Sequence, residues 1–299
     1  MNKFIIGWLL LLSSVSFADD QIESSDDSLR YFTPANILKF ADYLYDNGEF
    51  TRAAGEYQRY LITTSKSSGS DSIYYRMTKA LFLGKDYSRC DKLLDSFGDY
   101  YSNSSFQADI PLFRSILEFR RENYVRSLQL AEDPGISSLR LKNIIVVSDY
   151  LYLGQYAQAK KYACDMTGSD ILSNPDTTIE YSKTMAHLCE KSRSAAAMKF
   201  KSRFRAGLYS SIIPGAGKIY CGRVADGIYS FIIIGLFGWQ SYEGFSDHGR
   251  NSANGWFFGI AGTGFYFSNI YGSTVAAKMY NQKRHADFLN GLQIEITLP

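Results

Sequence analysis

Between residues 33 and 165 the apolar positions fall into pairs of helices. Each pair is joined by a short turn carrying an aromatic residue, and a small residue opens the second helix. The clearest copy begins at Thr33-Pro34, where Thr33 caps the first helix and Pro34 takes its first position, a place where a missing N–H is harmless. It runs through Ala41 to the turn Asp46-Asn47-Gly48-Glu49-Phe50, with Asn-Gly as the helix stop, and on through Ala53, Tyr57 and Leu61. Leu81, Lys85-Asp86-Tyr87, Cys90 and Leu94 make a second copy; Ser115, Glu122-Asn123-Tyr124, Ser127 and Leu130 a third; Tyr150, Gly154-Gln155-Tyr156, Ala159 and Ala163 a fourth. A further helix over 177–192 would cover the last exposed apolar face. Beyond residue 205 the pattern changes to three nearly continuous apolar segments, 206–213, 227–242 and 255–277, and residues 292–298 alternate as a short strand does.

The small residues Ala53, Cys90, Ser127 and Ala159 recur at intervals of 37, 37 and 32 residues. A small side chain there lets two helices approach closely, while the aromatic after the turn fills the gap beneath. The pattern resembles the tetratricopeptide repeat, whose unit is about 34 residues; Cys90 and Ser127 stand where that family has Ala, and the longer intervals imply extended loops near 65–70 and 101–105. An irregular helical bundle is the alternative. The resemblance implies a helical solenoid that binds a peptide or protein partner in a groove lined by the first helices. By position that groove would comprise Asp42 and Tyr45, then Tyr75, Lys79 and Phe82, then Phe119 and Arg120, then Leu151 and Tyr152. Tyr45, Phe82, Phe119 and Leu151 are equivalent and would form a stripe for a partner's apolar anchors, or else belong to the core.

The C-terminal segments read as a membrane module. The third apolar segment is long enough to span a bilayer, the second is borderline and the first is short. Tyr229, Trp239, Tyr242, Trp256, Tyr266 and Tyr271 suit a membrane interface, and Gly255, Gly259 and Thr263 form a ladder of small residues for close helix approach. Lys199, Lys201, Arg203 and Arg205, interleaved with Met198, Phe200 and Phe204, predict an amphipathic interfacial helix facing anionic headgroups. Pro214-Gly215-Ala216-Gly217-Lys218-Ile219-Tyr220-Cys221-Gly222 resembles the Pro-Gly-x-Gly-x-x-Tyr-x-Gly signature of small bacterial membrane domains related to the TM2 family, which implies a compact helical hairpin with a Gly-rich bend. Gly217-Lys218 is not the end of a P-loop: Ile212 stands where the first glycine belongs and Ile219 where the magnesium-binding hydroxyl belongs.

The fold class expected is therefore all-α, a tetratricopeptide-like solenoid followed by a small transmembrane helical hairpin. The expected organisation is a leader over 1–18, a linker over 19–32, repeats over 33–193, a basic connector over 194–205, a membrane module over 206–284 and a tail over 285–299. The leader reading rests on Lys3, the apolar run 4–12, and the small residues Ser16 and Ala18 before Asp19-Asp20; an uncleaved anchor is the alternative, and either version exports the segment C-terminal to it. Export permits a disulfide, and Cys164 with Cys189, on successive helices, is the preferred pair, leaving Cys90 and Cys221 as buried thiols.

A net charge of +2 provides no dense basic face for nucleic acid. His187, His248 and His285 have no nucleophile or metal partner at a recognisable spacing, so neither an enzyme nor a cofactor is expected. The partners expected are a protein or peptide and membrane lipid. The location expected is the bacterial inner membrane with the repeats in the periplasm, although the basic flanks Lys199 to Arg205 and Lys278, Lys283 and Arg284 argue for the cytoplasmic side. The function expected is a membrane-tethered protein-binding scaffold of the envelope. The alternative is an integral membrane component aiding transport or membrane-protein assembly, with the repeats as a docking arm.

Overall fold

A computed structural model describes residues 32–64, 69–133, 136, 138–169 and 179–292, with 294, 296 and 298 of the tail. The expected leader and most of the linker lie outside the described residues. Thirteen α-helices and no strand occur among the described residues: α1 (Pro34–Asp46), α2 (Phe50–Thr64), α3 (Ser70–Leu83), α4 (Tyr87–Tyr100), α5 (Ile110–Arg120), α6 (Tyr124–Ala131), α7 (Leu139–Tyr152), α8 (Tyr156–Ser169), α9 (Ile179–Ala196), α10 (Arg203–Ile212), α11 (Ala216–Tyr220), α12 (Val224–His248) and α13 (Ala253–Asn290). The chain is all-α, and it divides into two compact units, one ending at Ile110 and the other running from Pro111 to the C-terminus.

The four predicted turns share one backbone design. The third residue past the recurring position at the end of the first helix has positive φ in every copy: Gly48 (77°), Lys85 (61°), Glu122 (62°) and Gly154 (72°). Its N–H bonds back three residues, to Tyr45, Phe82, Phe119 and Leu151 respectively. The next N–H reaches the carbonyl of Leu44, Leu81, Glu118 or Tyr150, so the last carbonyls of each first helix are satisfied as the chain reverses. Thr33 and Pro34 start α1 as expected, with Thr33 Oγ1 accepting from Asn36 N.

Where each pair of helices meets, Ala53, Cys90, Ser127 and Ala159 are all 0 % exposed. Each lies twelve residues after a buried position of the preceding helix, namely Ala41, Thr78, Ser115 and Val147. In the third pair this contact is close enough for the Ser115 hydroxyl to donate to Ser127 O at 2.9 Å. Across three of the turns an aromatic pair five residues apart closes the hairpin: Tyr45 with Phe50 (5.4 Å), Phe82 with Tyr87 (5.7 Å) and Phe119 with Tyr124 (5.4 Å). The fourth has Leu151 in place of an aromatic, and its Tyr156 instead stacks on Phe200 and meets Phe288 edge-on.

In the second unit, α9 packs on α8. It buries Met185, Leu188, Ser192 and Ala195, the covering role expected of a fifth helix. Cys164 and Cys189 are joined by a disulfide across this pair, while Cys90 and Cys221 are buried free thiols. Two expectations are corrected here. The basic connector is not one amphipathic helix: α9 ends at Ala196, and residues 198–202 are non-helical until Ser202 caps α10 by accepting from Arg205 N. This non-helical path is held by a two-point clamp, with Lys201 N donating to Asn281 Oδ1 at 2.8 Å and Asn281 Nδ2 to Lys201 O at 2.9 Å. Tyr156 of α8 also meets Phe200, His285 and Phe288. Finally, the alternating tail forms no strand in its described residues; Leu292 and Ile296 are buried, and Ile296 O accepts from Arg120 at 3.3 Å. A two-residue repeat buries one face of any extended segment, so the alternation alone does not require strand pairing.

Two predictions arise from these elements. A left-handed residue other than Gly costs about 1–2 kcal/mol, and Gly itself loses about 0.5–1 kcal/mol in chain entropy. Lys85→Gly and Glu122→Gly should therefore each raise stability by up to about 1 kcal/mol, and Gly48→Ala lower it by about as much, in chemical denaturation. Asp149 is 0 % exposed with both carboxylate oxygens lacking a hydrogen-bond partner. Burial pushes its pKa up to about 8, with the nearby Ser127 hydroxyl pulling the other way. The unfolded carboxyl ionises near pH 3.9, so between about pH 4 and 8 the folded state holds the extra proton and stability falls as pH rises. Asp149→Asn should raise the melting temperature at pH 7 and flatten that slope.

Candidate functional site

In the first unit, three of the residues expected by repeat position to line a groove stand together. Asp42, Tyr45 and Lys79 converge on one cavity of about 390 Å3 together with Asp46, Tyr57 and Arg76. Asp42 organises it: Tyr57 OH donates to Asp42 Oδ1 at 2.6 Å, and Arg76 Nη1 reaches the same oxygen at 3.0 Å. Lys79 Nζ stands 4.9 Å over the Tyr75 ring; burial pulls its pKa below the usual lysine value, and Asp109 opposes that shift. The cavity is thus a mixed-charge pocket with aromatic walls, suited to the backbone and charged side chains of a peptide. Repeat equivalence did not point to Arg76, although it lies three residues before Lys79 and so shares its helix face.

The remaining groove residues are placed differently. Tyr75 and Phe82 are buried, with Tyr75 stacked on Phe106 at 4.6 Å. Phe119 and Leu151 are core residues, and Tyr152 is half-buried against Tyr124 at 4.7 Å. The four equivalent positions Tyr45, Phe82, Phe119 and Leu151 are therefore no continuous surface stripe. Each sits at the last turn of its helix, where closing the hairpin turns it against the next helix. Arg120 is exposed and donates to the chain's own tail.

In the second unit, the Pro-Gly-x-Gly motif is a backbone lock. Gly215 has φ of 86°, and a Cβ there would lie 2.0 Å from Gly227 O; a Cβ on Gly217 would lie 1.9 Å from Ala206 O. Gly217 N donates to Ser210 Oγ at 2.9 Å, and Ser210 in turn meets Ser273 Oγ at 2.7 Å. So Pro214 and the two glycines form a bend that brings α10, α11, α12 and α13 to backbone contact. Tyr220 packs edge-on to Tyr209 at 5.3 Å and lies beneath Lys201 Nζ at 4.4 Å. Gly222 has φ of 83° with open space around it, so only its backbone conformation calls for glycine.

α12 and α13 form a helical hairpin joined by a 3-10 turn over Gly249–Asn251. Glycines line its seam: Gly244 against Gly255, Gly259 against Ser241 Oγ, and Gly262 against Phe237. Thr263, expected on this ladder, is exposed instead. Seven residues bring an α-helix back to nearly the same face and eight do not, so Gly262 takes that place. No helix among the described residues is long and apolar enough to cross a membrane, which corrects the expected spans. The hairpin is nonetheless inverted in polarity. Its buried positions include Gly227, Ser230, Gly255, Asn269 and Ser273. Facing outward are Phe231, Ile232, Leu236, Trp239 (67 % exposed), Tyr242 (73 % exposed), Phe257, Ile260 and Phe267. Small and polar side chains in the seam dilute the average hydropathy of each helix while its outer face stays apolar.

The lock and its neighbours separate two kinds of glycine. Gly217→Ala should destabilise by about 3 kcal/mol, because a backbone carbonyl must move; Gly222→Ala should cost only up to about 1 kcal/mol, the left-handed penalty less glycine's chain entropy. Thermal unfolding of both variants in mild detergent measures the difference. Among the described residues, no group of three or more His, Cys, Asp or Glu side chains is placed to hold a metal ion. The chain matches no family model and no curated protein.

Proposed function

We propose that this protein is a membrane-seated, non-enzymatic scaffold of the bacterial envelope: the C-terminal module holds it in the inner membrane, and the repeats, of tetratricopeptide type, receive a peptide or protein partner on the periplasmic side. The inverted polarity of the α12–α13 hairpin carries the reading. An outward face of Phe, Ile, Leu and Trp over a seam of Gly, Ser and Asn is the arrangement that suits lipid and not water, where apolar side chains would turn inward. The apolar belt from Ile228 to Tyr242 covers about 20 Å of helix, short of the roughly 30 Å hydrocarbon core. The module is therefore read as seated in the bilayer.

At the opposite end from the Gly249–Asn251 turn, the Lys201–Asn281 clamp joins the two basic segments. Lys199, Arg203 and Arg205 then form an exposed collar with Lys278, Lys283 and Arg284, suited to anionic headgroups. A hairpin entering from one side leaves both basic ends and the repeats on that same side, so the collar need not mark the cytoplasm. The Cys164–Cys189 disulfide and the expected leader support an oxidising, exported location. The Asp42, Tyr45 and Lys79 cavity of the first unit supports the docking role.

One experiment addresses both halves. Trp8 falls within the expected leader, so the processed chain reports through Trp239 and Trp256 alone. On floating vesicles, brominated lipids should quench most of that emission; unquenched tryptophans would refute membrane seating. A photo-crosslinker at Tyr45 in intact cells should give a discrete adduct that Arg76→Glu abolishes, whereas the absence of any adduct would refute the docking role.

A further inference from the structure

The hairpin contains a polar arrangement that the glycine lock does not use. Lys218 of α11 lies across α13 where Gly272 leaves room, its Cε 3.6 Å from the point a Cβ would occupy. Its ammonium donates to Ser230 Oγ at 2.7 Å, and Ser230 donates onward to Asp226 O at 2.8 Å. Asn269 of α13 faces the same space; it is 4 % exposed, and neither its amide nitrogen nor its carbonyl oxygen has a hydrogen-bond partner. These three groups line one cavity of about 240 Å3 whose other walls include Ile233, Phe237 and Phe265, and no carboxylate lines it.

An unpartnered buried amide costs about 1–3 kcal/mol, and a lysine whose neighbour is a hydroxyl keeps a charge that nothing in the cavity balances. A ligand that satisfies both must bring an anionic acceptor to Lys218 and Asn269 Nδ2. The walls opposite are aliphatic and aromatic, so the same ligand must also carry an apolar portion. The cavity is smaller than the roughly 300–1,000 Å3 that encloses a whole small molecule. It suits one end of an amphiphile whose remainder continues along the outer belt. Resting on the membrane-seated reading above, we infer that this cavity is a binding site for an anionic phospholipid, with the phosphate held by Lys218 and Asn269 and the start of an acyl chain against Ile233, Phe237 and Phe265. Lys218, which follows the locking glycine in sequence, thereby has a ligand as well as a structural neighbour.

The full chain is reconstituted in phosphatidylcholine nanodiscs containing a minority of phosphatidylglycerol, extracted into mild detergent, and its retained lipid is read by native mass spectrometry. Wild type is expected to retain phosphatidylglycerol over phosphatidylcholine by about tenfold, the scale of one charge-assisted hydrogen bond. Lys218→Met and Asn269→Leu should each lose that preference. Lys218→Arg should keep it. Equal retention by wild type and Lys218→Met overturns the site. Displacement of the bound lipid by inorganic phosphate also overturns it, since the anion alone would then be the ligand. Wild-type protein that does not enter the bilayer defeats the membrane-seated reading itself, whereas entry without preference defeats only the lipid site.

Discussion

Close approach of helix backbones at positions without bulky side chains is the constraint on which the rest of the structure depends. In the repeats it is met by Ala53, Cys90, Ser127 and Ala159, each fully buried against the preceding helix. In the C-terminal module it is met more severely by Gly215, Gly217 and Gly227, where even a methyl group would overlap a neighbouring residue. The difference in severity has a physical origin. A helix pair in water can draw stability from burying large apolar side chains around a small contact point. A hairpin whose large apolar side chains face outward must draw it from backbone packing and seam hydrogen bonds such as Ser210 to Ser273 and Ser241 to Gly255 O.

The same reversal explains how one chain carries two kinds of surface. Around the first-unit cavity the polar groups are paired and partly solvated, and the aromatic residues lie behind them. Around the α12–α13 seam small and polar groups lie inside beside Phe237 and Phe245, and most of the large apolar side chains face outward. Tyr156 connects these regimes within the second unit: it closes a repeat hairpin, stacks on Phe200, and shares a short hydrogen bond with His285 of the long helix α13. The repeats of that unit and the C-terminal module are thereby built on a common set of aromatic contacts.

Much of the local structure was legible because it rests on short-range rules. The Thr33-Pro34 start, the Asn47-Gly48 stop, the small residues at the hairpin contacts and the Cys164–Cys189 pairing all derive from neighbours in sequence or from successive helices. Lys85 and Glu122 adopt the left-handed turn without glycine, which repetition of the motif implied and residue type did not. The candidate site was legible only in part. Asp42, Tyr45 and Lys79 were found from position, but Phe82, Phe119 and Leu151 occupy the same register and face the core, because the turn folds the end of each first helix under the next.

By itself the sequence determined where helices start and stop, which residues had to be small, and that the chain changes beyond residue 205 to long apolar segments. These are one-dimensional properties, set by propensity and periodicity. Only the tertiary structure decided that the helix breaks within the basic connector, that Gly262 and not Thr263 lies in the seam, and that Lys218, Ser230 and Asn269 share a cavity. Those depend on the rotation and approach of helices far apart in the chain. Average hydropathy cannot register them, because it counts a seam serine and an outward-facing phenylalanine without regard to the face each one occupies.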